Sequence, residues 1–223
     1  MERIAHRGAK REFPENTLVA FAQAYRRAAD SIELDVHCTR DGVVVVHHDP
    51  TIPVRLAGVV ERNIADLDWS LVSTIDLGDG ATIPTLADVL DSTPASATVY
   101  VEVKGAGIEQ AVATVIEHHQ ARCAVHSFDH AAVGRLAVLA PDIPRGILLE
   151  HAVRDVVTAM RAVDARDVWP KWSLIDQTLV DQVHGAGGRV IAWTVNERAV
   201  AQQLVEMGVD GLCTDDVRLL DGL

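Results

Sequence analysis

The sequence predicts one α/β domain closed as a TIM, or (β/α)8, barrel, and three observations lead there. Short β-branched runs alternate with amphipathic stretches along the 223-residue chain, and such alternation builds a parallel sheet covered by helices. Eight strand-like runs remain once one hairpin arm is set aside, which suits closure into a barrel. No Gly-x-Gly-x-x-Gly follows the first strand, which argues against the competing doubly wound dinucleotide fold. The length also falls in the roughly 200–250 residues over which such barrels fold as one unit.

The elements read in order as follows. Ile4–His6 starts the first strand. Thr17–Ala29 is helical, with Leu18, Phe21, Ala22, Tyr25 and Ala28 as its apolar or small positions. Ser31–Val36 is the second strand. Val43–His48 is its antiparallel arm, because Asp41-Gly42 is a hairpin signal and Cys38–Asp41 is too short for a crossover helix. Residues 49–97 are the least regular part and are expected to form a small insertion near the barrel mouth, ending in a short helix after Pro84. Strands follow at Thr98–Lys104, Cys123–Phe128, Ile147–Glu150, Asp167–Pro170, Arg189–Val195 and Gly211–Thr214. Helices lie between them at Ile108–Gln120, Ala131–Leu139, Val153–Val163, Gln177–His184 and Arg198–Met207. No Gly-, Ser- or Pro-rich linker divides the chain, so 1–223 reads as a single barrel domain.

Composition removes several function classes. Twenty Lys plus Arg face 32 Asp plus Glu, a net charge of −12. Binding to nucleic acid or to an anionic membrane by charge neutralisation is therefore not expected. The three cysteines, Cys38, Cys123 and Cys213, have no metal-type spacing and read as reduced thiols. The N-terminus carries no apolar signal region, and no apolar run approaches the roughly 20 residues of a membrane span. A cytoplasmic location is the expectation.

Polar residues that look out of place gather at strand ends. Glu33 and Asp35 are two apart on one strand, so they share a face. Two inward carboxylates repel unless something positive sits between them. A hard divalent cation, Mg2+ or Ca2+, is the natural occupant. Glu102 and Lys104 repeat the spacing, offering a third carboxylate and an ammonium for an anion. In a barrel, His6, Arg7, Glu33, Asp35, His48, Glu102 and Lys104 converge on one mouth. Arg7 can grip two phosphate oxygens. One histidine can take a proton from a nucleophile while the other gives one to a leaving oxygen.

These residues carry a family resemblance. Ile4-Ala5-His6-Arg7-Gly8 with Pro14-Glu15-Asn16-Thr17 resembles the opening motif of glycerophosphodiester phosphodiesterases. Ile32–Val36 through Asp41-Gly42 to His48-Asp49 resembles their second signature. Ile83–Leu86, Val101–Lys104, Ser127-Phe128, Trp193–Asn196, Gly208–Gly211 and Thr214-Asp215 continue the likeness over residues 4 to about 216. Each piece alone is weak, whereas their order and joint presence are specific. The resemblance implies a phospholipase C-like phosphodiesterase barrel that hydrolyses glycerophosphodiesters to sn-glycerol 3-phosphate and an alcohol. Matched by position, His6 and His48 take the acid/base roles and Glu33, Asp35 and Glu102 hold one divalent cation. Arg7 and Lys104 fall on phosphate contacts and Trp193 beside the substrate. Either a glycerol hydroxyl attacks first to give a cyclic phosphate, or water attacks directly. A small-molecule diester is the implied partner, with the barrel standing as monomer or homodimer.

Plainer readings stand beside these. Glu33 and Asp35 can form a buried salt bridge with Arg7 or Lys104 and bind no metal. Glu15 either contacts substrate or metal or only orients Arg7. Asn16 reads as the cap of the helix beginning at Thr17. Ser127 either lines the pocket or fills a tight barrel layer. Of His47 and His48, which face opposite sides, His48 is the pocket residue. His118, His119, His126, His130, His151 and His184 read as solvated or satisfied, and Trp69, Trp169 and Trp172 as packing. Pro50–Arg55 departs from the Leu and Arg-Thr pair of many relatives, which bears on substrate selection. Two alternatives share the scaffold: lysophospholipase D activity, with Ile52–Val60 as an acyl groove, and a non-catalytic phosphodiester-binding barrel.

Overall fold

The computed structural model describes residues 1–55 and 59–223. Among them, eight parallel strands close into a barrel: β1 (Glu2–His6), β2 (Ser31–Cys38), β3 (Thr98–Val103), β4 (Arg122–Ser127), β5 (Arg145–Leu149), β6 (Asp167–Pro170), β7 (Arg189–Ala192) and β8 (Gly211–Thr214). Consecutive strands pair in order, and β1 pairs with both β2 and β8, so no barrel edge is left open. The arm Val44–Val46 lies antiparallel to β2, as the Asp41-Gly42 turn predicts.

The crossover helices are α1 (Leu18–Arg26), α2 (Leu86–Ser92), α3 (Glu109–Glu117), α4 (His130–Leu139), α5 (Val156–Ala162), α6 (Gln177–Gly185) and α7 (Arg198–Glu206). A short 3-10 turn, Val217–Leu220, follows β8. Thr17, rather than Asn16, caps α1: its hydroxyl accepts from the Ala20 N–H at 3.3 Å. Thr85 and Asp88 form a reciprocal capping box on α2. Gly8 is required by packing, since it sits at φ +83° and a Cβ there would come within 2.8 Å of Ala20.

The region expected to be an insertion is narrower than 49–97. Leu86, Val89 and Leu90 of α2 belong to the main core between sheet and helices, with Phe21, Leu34, Val101 and Val112. That short helix is therefore the second crossover of the barrel itself. The remainder is a hairpin (Thr51–Arg55 with Val59–Asn63), a helical turn at Trp69–Val72 and a second small hairpin (Asp76–Gly78 with Ala81–Thr82). These pack on a core of their own, in which Ile52, Val54, Ile64, Val72 and Ile83 join Val45 of the arm. Ile52 and Val54 of the expected acyl groove are thus turned into this core. Residues 56–58 of that groove lie outside the described residues.

Strand alternation sorts the barrel lumen into layers. The middle layer is apolar: Ile4, Tyr100, Ala124, Leu148, Trp169, Ile191 and Cys213. Trp169 fits because β5 carries Gly146 opposite it; a Cβ there would lie 3.0 Å from the indole. Toward the carboxyl ends of the strands, His6, Glu102, His126, Glu150 and Trp193 follow two residues after middle-layer positions, and β2 adds Glu33, in register with Tyr100 and His6, and Asp35, in register with Glu102. No helix among the described residues is long and apolar enough to cross a membrane.

Candidate active site

Strand register assembles the site. His6 lies beside Glu33, Asp35 beside Glu102, and Glu102 beside His126. In-register neighbours on paired strands are about 4.8 Å apart, so Asp35, Glu102 and His126 form a row across β2, β3 and β4. Glu102 and His126 face a cavity of about 300 Å³ at the barrel mouth, lined also by His6, Arg7, Glu33, His48, Lys104, Phe128, Glu150 and Trp193, and Asp35 lies buried beside it. Two backbone positions beside it are held in the left-handed region, Arg7 and Asn16, both at φ 58°. Their geometry is fixed by two hydrogen bonds, Arg7 N–H to Glu33 carbonyl (2.9 Å) and Asn16 N–H to Arg7 carbonyl (3.1 Å). Such conformations cost about 1–3 kcal/mol and persist only when their surroundings enforce them. Here they swing Arg7 into the mouth and Asn16 onto Asp35.

The three carboxylates differ in their surroundings. Asp35 is fully buried and well compensated. It faces Arg7 Nε at 3.0 Å and Lys104 Nζ at 3.5 Å, and accepts from Asn16 Nδ2 at 2.9 Å. Burial pushes its pKa up, but Arg7, Lys104 and Asn16 outweigh that and hold it below the usual range. Glu102 meets Lys104 Nζ at 3.1 Å. Glu33 has no Lys or Arg within 4 Å among the described residues; its ionic neighbours are His6 Nε2 at 3.9 Å and His126 Nε2 at 3.7 Å. Burial, with Asp35 adding to it, raises Glu33 to about 7. Burial, with Asp35 and Glu33, does the same to Glu102. Asp35 thus forms the ion pairs with Arg7 and Lys104 that the pair was expected to make, and Glu33 does not.

Both predicted acid/base histidines have one ring nitrogen tied to a carboxylate. His6 Nδ1–H donates to Asp215 at 2.7 Å, and His48 Nδ1–H to Asp49 at 2.8 Å. Asp215 is itself held by Asn196 Nδ2 at 2.7 Å. Burial opposes its ionisation, yet His6, Lys10 and Asn196 bring its pKa down to about 2. Each Nε2 is thereby left for the cavity. Glu15 accepts from Arg7 (3.0 Å) and meets Lys10 (2.9 Å), which places it among the groups orienting Arg7. Trp193 donates its indole N–H to the Trp169 carbonyl at 2.8 Å, and Phe128 stands edge-on to it at 5.3 Å.

Every predicted site residue lies in or beside this mouth, and several others join them. Ser127 is structural: its hydroxyl donates to the Val103 carbonyl. His126 is not a satisfied histidine. It is buried, and neither ring nitrogen has a hydrogen-bond partner. Burial lowers its pKa to about 4. Trp169 packs as expected but also walls the cavity. No local signal marks His126, whose place follows from register with Glu102; Asp215 and Asn196 lie in the shared motifs, with no spacing that ties them to His6.

Several donor atoms invite a cation. Glu33 Oε2, Asp35 Oδ1 and both nitrogens of His126 are buried without a hydrogen bond. Glu33, Glu102 and His126 bring ligand atoms within 4.8 Å of one another. Buried polar atoms normally have partners, so this donor set fits a metal ion.

Comparison with known proteins gives a consistent result. The sequence profile of the glycerophosphoryl diester phosphodiesterase family matches residues 6–219. The glycerophosphodiester phosphodiesterase of Caldanaerobacter subterraneus subsp. tengcongensis is 30% identical over 99% of this chain and 96% of its own. Among solved structures, the glycerophosphodiester phosphodiesterase of Agrobacterium tumefaciens superposes with a TM-score of 0.84 at 26% identity, covering 100% of both chains. An Oleispira antarctica phosphodiesterase, solved with its product sn-glycerol-3-phosphate, superposes at 0.89 with 24% identity, over 99% of this chain and 95% of its own.

Proposed function

The chain belongs to the glycerophosphoryl diester phosphodiesterase family, and on that premise we propose that it hydrolyses glycerophosphodiesters to sn-glycerol 3-phosphate and an alcohol, using a divalent cation and two histidines. The observation that carries this reading is the mouth itself: uncompensated carboxylate oxygens, two cations and two oriented histidines face one cavity.

Glu33, Asp35 and Glu102 are the carboxylates that would hold the cation. When bound, it neutralises charge on the phosphoryl oxygens and acidifies the attacking hydroxyl. Arg7 and Lys104 meet the nonbridging oxygens. Asp35, ion-paired with both, fixes where their charges sit, so the phosphate enters a prearranged field. Burial disfavours the charge on Lys104, but Glu102 and Asp35 raise its pKa and keep it cationic. With Nδ1–H committed to Asp215 or Asp49, each catalytic imidazole presents Nε2 to the reacting centre. One removes the proton of the nucleophile, and the other protonates the departing alcohol oxygen. Trp193 lies against the glycerol backbone, with Phe128 beside it. The three free cysteines, Cys38, Cys123 and Cys213, support a reducing, cytoplasmic setting.

The test is release of glycerol 3-phosphate from choline, ethanolamine, glycerol and inositol diesters, with EDTA and with cation restored. Cation-dependent release is expected. Binding of diesters without release under any cation would replace the enzyme reading with the binding-barrel one.

A further inference from the structure

We propose that His126 supplies a nitrogen ligand to the cation held by Glu33 and Glu102, so that the site selects a first-row transition ion, Mn2+ or Zn2+, over Mg2+ or Ca2+. The inference deepens the functional reading above and rests on its cation site.

Burial and isolation of the ring come first. His126 is 1% exposed, and neither nitrogen has a hydrogen-bond partner. Other histidines of this chain show what a structural imidazole does: His37, His119 and His130 each bond a backbone carbonyl, at 3.1, 2.6 and 3.0 Å. Burying an imidazole with both nitrogens unsatisfied is costly, and a metal bond satisfies one of the two.

Placement comes second. His126 is in register with Glu102 on the adjacent strand. Its Nε2 lies 3.7 Å from Glu33 Oε1, too far for a hydrogen bond. Ligand atoms of Glu33, Glu102 and His126 lie within 4.8 Å of one another. Ions bonded at about 2.0–2.3 Å place their donors at such separations. The ring is also held in position. Trp169 stands edge-on at 4.4 Å, and Tyr100 lies parallel at 6.4 Å.

The donor set then decides the ion. Mg2+ and Ca2+ are hard and take oxygen; a buried imidazole adds little for them. Mn2+ and Zn2+ accept carboxylate and imidazole together, and affinities rise along the first row.

Pulsed EPR of the Mn2+-loaded full chain, prepared from EDTA-treated protein, tests the proposal. Nitrogen modulation from a bound imidazole is expected. It should persist in His6→Gln, disappear in His126→Gln, and change to the 15N pattern in wild-type protein grown on 15N-histidine. In calorimetric titrations, His126→Gln should weaken Mn2+ and Zn2+ by roughly 10–100-fold and Mg2+ by less than about threefold. Bound Mn2+ with no nitrogen modulation overturns the inference alone, as does modulation lost in His6→Gln but kept in His126→Gln. Equal weakening of all four ions in His126→Gln overturns the selectivity. Absence of any Mn2+ binding overturns the inference and, if product release is also cation-independent, the functional reading beneath it. Should His126→Gln not fold, the wild-type and His6→Gln spectra decide.

Discussion

The two ends of this barrel lumen use the same residue types in opposite ways. At the amino ends of the strands, Glu2 accepts from Ser31, Tyr100 and Arg189 at 2.5, 2.8 and 2.6 Å. Asp167 is bonded there by both Arg166 Nε and Nη2, with Arg189 at 3.6 Å. Burial pushes Glu2 up, but its three partners win and its pKa falls below the usual value. At the carboxyl ends, Glu33 is more deeply buried and has no such partners; its pKa rises to about 7. Satisfied charges at the floor stabilise the fold. Unsatisfied charges at the mouth are a cost the fold carries until a cation and a phosphate arrive.

The sharpest way to break that division is at the histidines. His6→Ala and His48→Ala are each expected to lower turnover by at least roughly 10²-fold, read as glycerol 3-phosphate release. Near-wild-type turnover would remove that residue from the mechanism. Asp215→Asn should follow, with roughly tenfold lower turnover and a displaced pH–rate profile, since Asp215 fixes the His6 ring. A change in thermal stability with an unchanged profile would make Asp215 merely structural.

The next effect is on stability, and its sign differs between the two ends. Glu33 and Glu102 ionise near 4.5 in the unfolded chain and near 7 in the fold. The cation-free fold thus retains protons that the unfolded chain has released. Their contribution is fully present below about pH 4.5 and is lost as pH rises through about 7. Denaturant melts in EDTA across this window should show the decline, and added cation should reverse it. Glu2→Gln, at the floor, should cost about 1–2 kcal/mol with turnover per folded molecule kept. Lost turnover without lost stability would place the floor network in the mechanism.

Much of this division can be read from the residues, because strand period and strand-end position are local properties. The pairs Glu33/Asp35 and Glu102/Lys104 declare one face by spacing alone, and the barrel brings both to the mouth. His126 declares nothing by itself. Its meaning comes from register with Glu102 across two strands joined by α3, a non-local fact. Asp215 reaches His6 only because β8 closes on β1, which no spacing reveals. The second crossover helix is legible as a short helix after Pro84, but not as part of the barrel. At seven residues, it is too short to show which apolar face packs on the barrel, so it reads as the end of the insertion. The different fates of Glu33 and Asp35 were equally hidden, since two carboxylates on one face look alike until Arg7 and Asn16 turn in left-handed conformations toward one of them.

The most direct test of the central claim is the melting temperature of wild type and Glu33→Gln, each in EDTA and with saturating Mn2+, at neutral pH. If the mouth is held short of partners for a cation, Glu33→Gln in EDTA melts above wild type, by on the order of 2 kcal/mol in stability. Cation should then stabilise wild type strongly and the variant weakly. A variant less stable than wild type in EDTA, with the cation response intact, would contradict the account and place Glu33 with the satisfied charges of the floor.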